Sequence, residues 1–185
     1  MIAPSLVLAS TSPQRRAILE QLGLPFEVVE PRYEEVGGDP VEHAAGKARS
    51  VDGGGRPVVG IDTVVVCGGR VLGKAAGPQE AASMLEALAG RVHEVVSGLC
   101  VRTAAWEELR REVTRVWFRE LTPGDIAAYV ATGEWEGRAG AYAIQGRGAA
   151  LVERIEGDYL NVVGLPAAAL VRLLAERFPG AYGYG

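Results

Sequence analysis

The placement of proline is the feature that most limits how this chain can fold. Five of its ten prolines stand where a helix can begin, because proline fits the first helical turn but breaks the interior of a helix. At three of them a helix-capping residue, Ser12, Asp39 or Thr122, comes directly before the proline. The pattern predicts five helices, which run from Pro13 to Gly23, from Pro40 to about Val51, from Pro78 to Gly90, from Pro123 to near Gly133, and from Pro166 to Phe178.

Short apolar runs that are typical of strands lie between these helices. Leu6–Ala9 is continuously apolar, as in a strand buried on both faces, and Pro57–Cys67 is rich in β-branched residues. Gly68–Gly69 predicts a hairpin turn into Val71–Leu72. Because hairpins mix with helices, we expect a mixed α/β (α+β) fold with a mixed sheet rather than a doubly wound parallel one. The other predicted strands are Phe26–Val29, Arg91–Arg102, Glu112–Arg119, and a hairpin of Ala149–Ile155 with Tyr159–Val163.

Length, charge and cysteine usage narrow the class of protein. With 185 residues the chain is too short for two ordinary domains, so residues 1–185 are predicted to form one domain with no linker. A net charge of −4 argues against general binding of nucleic acids or anionic membranes. We find no convincing signal peptide or membrane span, and expect a cytoplasmic location by default. Cys67 and Cys100 lie in apolar runs and are predicted to be buried thiols rather than a disulfide or a reactive pair.

The stretch LVLASTSPQRRAILEQLG predicts an anion-binding site near the start of the chain. A strand followed by Ser10 and Ser12 brings hydroxyl and backbone N–H groups to a helix N-terminus, where the helix dipole favours a negative charge. Arg15 shares the inward stripe of this helix, although a cation is disfavoured at that end. A bound anion would explain the position of Arg15.

Further charged and polar residues could complete such a site. Asp62 lies among valines in the run GIDTVVV, where a buried and unpaired carboxylate would be costly. It therefore ends a strand at a cleft, pairs with a cation or binds a metal, and a structural salt bridge fits equally well. Glu35 could reach the same cleft, although a surface acid is the simpler interpretation. The other candidates, each with an ordinary structural explanation when taken alone, are Lys47, Thr63, Lys74 and Gln145. A polyphosphate with Mg²⁺ would unite these residues in one site.

Four blocks that span nearly the whole chain carry a family resemblance. They are LASTSPQRRAILEQLG, GIDTVVV with LGK after it, TRVWFRELT, and TGEWEGRAGAYAIQGRGAALVERIEGDYLNVVGLP. Together they resemble the Maf family of nucleoside triphosphate pyrophosphatases. The resemblance implies an ITPase-like fold, which is a long curved mixed sheet with two lobes that flank a central cleft. It also implies hydrolysis of a nucleoside triphosphate to the monophosphate and pyrophosphate with a divalent cation, Mg²⁺ or Mn²⁺, and a possible homodimer.

The resemblance also implies roles for the candidate residues. Asp62 becomes the proton acceptor that activates water, and Glu35 and Asp62 become the carboxylates on the metal side of the site. Thr63 and Gln145 match positions associated with the branch of the family that hydrolyses dTTP and UTP. The implied contacts to the triphosphate are Ser10, Ser12, Arg15, Lys47 and Lys74.

One departure from the family pattern leaves alternatives open. Gln14 stands where the family usually has an arginine that is linked to a preference for thymidine and uridine nucleotides. A 7-methyl-GTP pyrophosphatase, whose branch tolerates another residue at this position, is therefore one alternative. A non-catalytic, nucleotide-sensing regulator of septum formation is another. Gln145 and Thr63 favour the dTTP/UTP branch, and the presence of Asp62 favours an enzyme.

Overall fold

The structure is a computed structural model that describes residues 4–184. Residues 1–3, with which the segment considered for a signal peptide begins, and residue 185 lie outside this range. The strands are β1 (Leu6–Ala9), β2 (Phe26–Val29), β3 (Val58–Cys67), β4 (Arg70–Leu72), β5 (Val92–Arg102), β6 (Glu107–Phe118) and β7 (Val152–Glu156). The α-helices are α1 (Pro13–Gln21), α2 (Pro40–Arg49), α3 (Pro78–Leu88), α4 (Pro123–Val130), α5 (Tyr159–Val163) and α6 (Ala167–Arg177).

The sheet is mixed, as predicted. Its strand order is β2-β1-β3-β5-β6-β7, with β4 paired to β3. Strand β1 pairs in parallel with both β2 and β3, whereas β4 pairs antiparallel with β3 and β7 pairs antiparallel with β6. All five helices predicted from proline are present, and two of the predicted caps form hydrogen bonds: Asp39 caps α2, and Thr122 forms a capping box with Asp125 in α4. The mixed α/β fold is therefore confirmed.

The chain divides into two compact units, and the first is built on β1. Of the described residues, this first unit comprises 4–62, 97–112 and 164–184. Helix α2 lies directly on the sheet, because a Cβ atom at Gly60 of β3 would stand 2.1 Å from the Ala44 carbonyl oxygen, and one at Gly98 of β5 would stand 2.1 Å from that of Pro40. A cluster of small apolar side chains fills this narrow space: Val7, Ala9, Ala44, Ala45, Ala48, Val51, Val58 and Cys100. The glycines thus allow a side chain on α2 to meet one on β3.

The second unit comprises residues 63–96 and 113–163. Its core includes Phe118 of β6 and Tyr142, whose rings contact each other edge to face with centroids 4.8 Å apart. His93 of β5 is buried against both rings, and its Nε2 lies 2.9 Å from the Tyr142 hydroxyl oxygen. The interpretation of residues 1–185 as a single domain stays a prediction.

One predicted hairpin is wrong. Tyr159–Val163 is the short helix α5 rather than a strand. The first three residues of the predicted strand Ala149–Ile155 belong to a 3₁₀ helix, Gly146–Leu151, that comes before β7. Asp158 explains the helix, because its Oδ1 accepts a hydrogen bond from the Leu160 N–H at 2.8 Å, as an N-cap does. The fully buried Asn161 then donates its amide to the Val95 carbonyl oxygen at 3.1 Å. Such tertiary contacts outweigh the strand propensity of the valines that follow.

Two further expectations concern the cysteines and the membrane. Cys67 and Cys100 are buried free thiols, as predicted, and burial raises the pKa of Cys100 to about 12. Among residues 4–184, no helix has both the length and the apolar character needed to cross a membrane.

Candidate active site

The centre of the candidate site is a buried lysine that pairs with two carboxylates. The Nζ atom of Lys47 lies 2.7 Å from Oδ1 of Asp62 and 2.6 Å from Oε1 of Glu35. Lys47 and Asp62 are each only 7% exposed, whereas half of the Glu35 side chain is exposed. A buried charge needs a partner, and here one ammonium faces two carboxylates, so the group carries a net charge of −1.

Local structure explains how these three residues meet. Lys47 is on α2, one helical turn after Ala44, whose carbonyl oxygen faces Gly60 of β3. Asp62 follows two residues later on β3, and its side chain therefore points to the same face of the sheet as Gly60. Glu35 comes from the irregular segment between β2 and α2. The close approach of α2 to β3 therefore creates the ion pair.

A second group of predicted residues lies at the end of β1. The Ser10 hydroxyl oxygen accepts hydrogen bonds from the Ser12 N–H at 3.2 Å and from Nη1 of Arg15 at 3.1 Å. Arg15 also donates from Nε to the Gly164 carbonyl oxygen at 2.9 Å. Ser12 occupies the N-cap position of α1 without a side-chain cap, because its hydroxyl donates to Oε1 of Gln14 at 3.0 Å. Its predicted capping role is therefore wrong, and Gln14 explains why.

Charge links the two groups of the first unit. Burial lowers the pKa of Arg15 from its ordinary value, and the negative charges of Asp62 and Glu35 act in the opposite direction. Arg15 therefore lies close enough to Asp62 and Glu35 for their negative charges to act on its guanidinium. The first unit brings together seven of the predicted site residues: Ser10, Ser12, Gln14, Arg15, Glu35, Lys47 and Asp62.

The other three predicted residues belong to the second unit. Thr63 follows Asp62 on β3, and the exposed side chains of Lys74 and Gln145 come from segments that contact each other. Lys74 forms an isolated antiparallel bridge with Ala139, and the Gly140 N–H lies 3.1 Å from the carbonyl oxygen of Leu72. The structure therefore joins the segment of Lys74 to the start of the segment that carries Gln145.

Sequence reasoning missed the residues that hold the Gln145 segment in place. The carboxylate of Glu134 accepts hydrogen bonds from the backbone N–H groups of Arg147 at 3.0 Å and Gly148 at 3.1 Å. The Tyr129 hydroxyl oxygen accepts one from the Ala143 N–H at 2.9 Å. Backbone N–H groups that have no partner in a helix or sheet require such acceptors. The glycine-rich run AYAIQGRG was the available signal that this segment would need them.

Two acidic residues of the site could bind a metal ion together with a substrate. Within residues 4–184, no group of three or more His, Cys, Asp or Glu side chains is arranged to hold a metal. The two carboxylates on Lys47, those of Glu35 and Asp62, still suit Mg²⁺, which is commonly bound by one or two carboxylates together with substrate phosphates. The donor set therefore fits a cation that arrives with a polyphosphate.

Comparison with known proteins decides the family. The family model described as Maf-like protein matches residues 5–177. The chain belongs to the Maf family. Three Maf relatives are named dTTP/UTP pyrophosphatase. That of Moorella thermoacetica is 51% identical, covering 92% of this chain and 93% of the relative. Those of Pelotomaculum thermopropionicum and Deinococcus radiodurans are 47% and 43% identical, covering 92% and 98% of this chain and 95% and 97% of the relatives.

Proposed function

We propose that this Maf protein hydrolyses dTTP and UTP, or modified forms of these nucleotides, to the monophosphate and pyrophosphate. The buried Asp62–Lys47–Glu35 group beside Arg15 and Ser10 is the observation that carries the proposal. Relatives that are 43–51% identical and named dTTP/UTP pyrophosphatase support the choice of substrate. Homodimer formation stays a prediction from the family resemblance, and the cytoplasmic location stays a default prediction from the sequence.

Asp62 is the proposed proton acceptor. Lys47 binds Oδ1 of Asp62, so the second carboxylate oxygen is directed to take a proton from water. The activated water attacks the α-phosphorus, the bond from that phosphorus to the oxygen bridging to the β-phosphate breaks, and pyrophosphate leaves with the electron pair. Because Lys47 fixes the carboxylate, the base needs no rearrangement before the attack.

The cations and hydroxyls of the site are the proposed triphosphate contacts. Charge accumulates on phosphate oxygens as pyrophosphate leaves, and positioned N–H and O–H donors stabilise that charge. Arg15 is held by Ser10 and Gly164, so its guanidinium is oriented before the substrate binds. Ser12 and Lys74 are the other proposed contacts to the triphosphate.

Glu35 and Asp62 would hold the divalent cation. A bound Mg²⁺ or Mn²⁺ supplies charge neutralisation on the phosphate oxygens. Both carboxylates also pair with Lys47, which limits the repulsion between them while no cation is bound.

Gln145 is the residue that we propose recognises the base. A uracil or thymine ring shows carbonyl acceptors beside an N–H donor, and one amide group can satisfy one of each. Gln145 is exposed at the N-terminal end of a 3₁₀ helix and makes no side-chain cap there, which supports a role toward a ligand. Thr63 and Gln14 are the other proposed specificity residues.

Pyrophosphate release from a panel of triphosphates tests this function. The panel contains dTTP, UTP, CTP, GTP and 7-methyl-GTP, each with Mg²⁺ and with Mn²⁺. We expect kcat/KM to be highest for dTTP and UTP, and we expect Asp62→Asn to abolish turnover while nucleotide binding persists. A preference for 7-methyl-GTP would reject the proposed substrate, and unchanged turnover in Asp62→Asn would reject the proposed base.

A further inference from the structure

The segment that carries Glu35 has no regular secondary structure of its own. Residues 30–38, which we call the acidic loop, contain neither helix nor strand, and most of their side chains are exposed. Glu35 nevertheless lies within 2.6 Å of the buried Lys47 ammonium. Ordering an exposed loop costs conformational entropy, so another contact must hold the acidic loop on the protein.

Tyr33 makes that contact, and it does so at a glycine inside a helix. Gly46 lies in the middle of α2, although glycine is among the poorest helix formers. Its backbone does not need glycine, because its φ lies outside the left-handed region. A Cβ atom at Gly46 would instead stand 2.2 Å from Cε2 and 2.4 Å from Cζ of Tyr33. The Tyr33 ring therefore occupies the space that a side chain at Gly46 would need.

Two further contacts attach Tyr33 to the same helix. Its hydroxyl lies 3.3 Å from Nδ1 of His43, and the two rings meet edge to face with centroids 5.8 Å apart. His43, Gly46 and Lys47 are spaced three and four residues apart, so they share one face of α2. Tyr33 and Glu35, two residues apart in the loop, thus bind neighbouring positions on that face.

We propose that Tyr33 is a positioning residue that seats the acidic loop on α2 and thereby holds Glu35 against Lys47. The proposal rests on the proposed function insofar as Glu35 serves the reaction. If the Tyr33 ring only covered His43, displacing the ring would leave the contact between Glu35 and Lys47 unchanged.

Two substitutions displace the ring, and two others serve as controls. Gly46→Ala places a methyl group where the ring lies, and Tyr33→Ala removes the ring and keeps α2 unchanged. Tyr33→Phe keeps the ring and loses only the hydroxyl. Gly124→Ala adds a methyl group in α4, where the Thr122 hydroxyl oxygen is 3.7 Å away, and controls for a glycine-to-alanine change in a helix.

The first readout is catalytic and uses a double-mutant cycle. We expect Gly46→Ala and Tyr33→Ala to lower kcat/KM for UTP by roughly tenfold, as misplacement of a site group does. Tyr33→Phe should stay within about threefold, and Gly124→Ala should match the parent protein. In a Glu35→Gln background, Gly46→Ala should cause no further loss, because its effect acts through Glu35. Full additivity of the two substitutions would overturn the proposal.

The second readout needs neither metal nor turnover. The chain contains only two lysines, Lys47 and Lys74, so ¹³C-lysine NMR yields two side-chain signals, which Lys74→Arg assigns. In metal-free protein we expect Gly46→Ala, Tyr33→Ala and Glu35→Gln to shift the Lys47 signal in the same direction and to leave Lys74 unchanged. An unshifted Lys47 signal in Gly46→Ala and Tyr33→Ala would overturn the proposal. If the parent protein releases no pyrophosphate, the proposed function is wrong, and this NMR comparison still decides whether Tyr33 seats the loop.

Discussion

Replacing Lys47 with methionine tests the energetic basis of the site. Methionine approximates the length of the side chain without its charge, so Lys47→Met leaves the Asp62 carboxylate buried without its cation. At 2.7 Å, two unit charges attract by about 6 kcal/mol for an effective dielectric constant of 20. Part of that attraction offsets the cost of removing both charges from water, and breaking a buried pair by removing one partner costs about 3–5 kcal/mol. We therefore expect Lys47→Met to lower the free energy of unfolding by about 3–5 kcal/mol.

Urea denaturation at neutral pH measures this loss, and Lys74 provides a matched control. Lys74 is exposed, so Lys74→Met should change the free energy of unfolding by less than about 0.5 kcal/mol. Asp62→Asn should cost less than Lys47→Met, because Lys47 retains Glu35 as a partner. Combining Lys47→Met with Asp62→Asn removes both charges and should recover much of the loss. A loss below about 1 kcal/mol for Lys47→Met, or simple additivity in the double variant, would refute this reasoning.

Three further predictions concern other parts of the structure. Burial lowers the pKa of His93 to about 4, so the unfolded chain takes up a proton first as the pH falls. The contribution of neutral His93 to the free energy of unfolding is therefore fully present above about pH 6.5 and is lost toward pH 4, by up to about 3 kcal/mol. Urea denaturation at several pH values should show this decline, and His93→Gln should remove the part that His93 causes. Glu134→Gln replaces an acceptor of two backbone N–H groups, and we expect it to reduce the kcat/KM ratio of UTP to CTP roughly tenfold while the exposed Glu136→Gln leaves that ratio unchanged. An unchanged ratio would show that Glu134 has no role in selecting the base. Gly60→Ala forces a methyl group against the backbone of α2 and should destabilise the protein by about 1–3 kcal/mol, which thermal unfolding would measure; an unchanged melting temperature would contradict the close packing.

Local signals predicted most of the secondary structure. Proline after a polar cap located α2 and α4 to within a few residues, because both the cap and the proline act on their own turn of helix. The paired glycines after β3 predicted the hairpin to β4, and both have positive φ. The same local logic failed at Tyr159–Val163, where Asp158 and the buried Asn161 favour a helix.

The residue types of the site could also be found in the sequence, but their partners could not. A buried aspartate among valines had to meet a cation, and the alternatives ranged from a structural salt bridge to a metal site. Lys47 proved to be that cation from a position fifteen residues away, and it binds Glu35 as well. The glycine-rich run after Tyr142 indicated that its backbone needs acceptors, but nothing in the spacing identified Glu134 as that acceptor. Nor did spacing indicate that the Tyr33 ring packs on Gly46.

Sequence alone thus determined where most elements begin, which faces are apolar and which chemical groups the chain carries, since each depends on residues within one or two turns. Tertiary structure decided which groups touch. Contacts between elements depend on how closely backbones approach, and here two glycines, Gly46 and Gly60, set that distance. Gly60 brings α2 close enough for Lys47 to reach Asp62, and Gly46 makes room for the ring whose loop brings Glu35 to the same lysine.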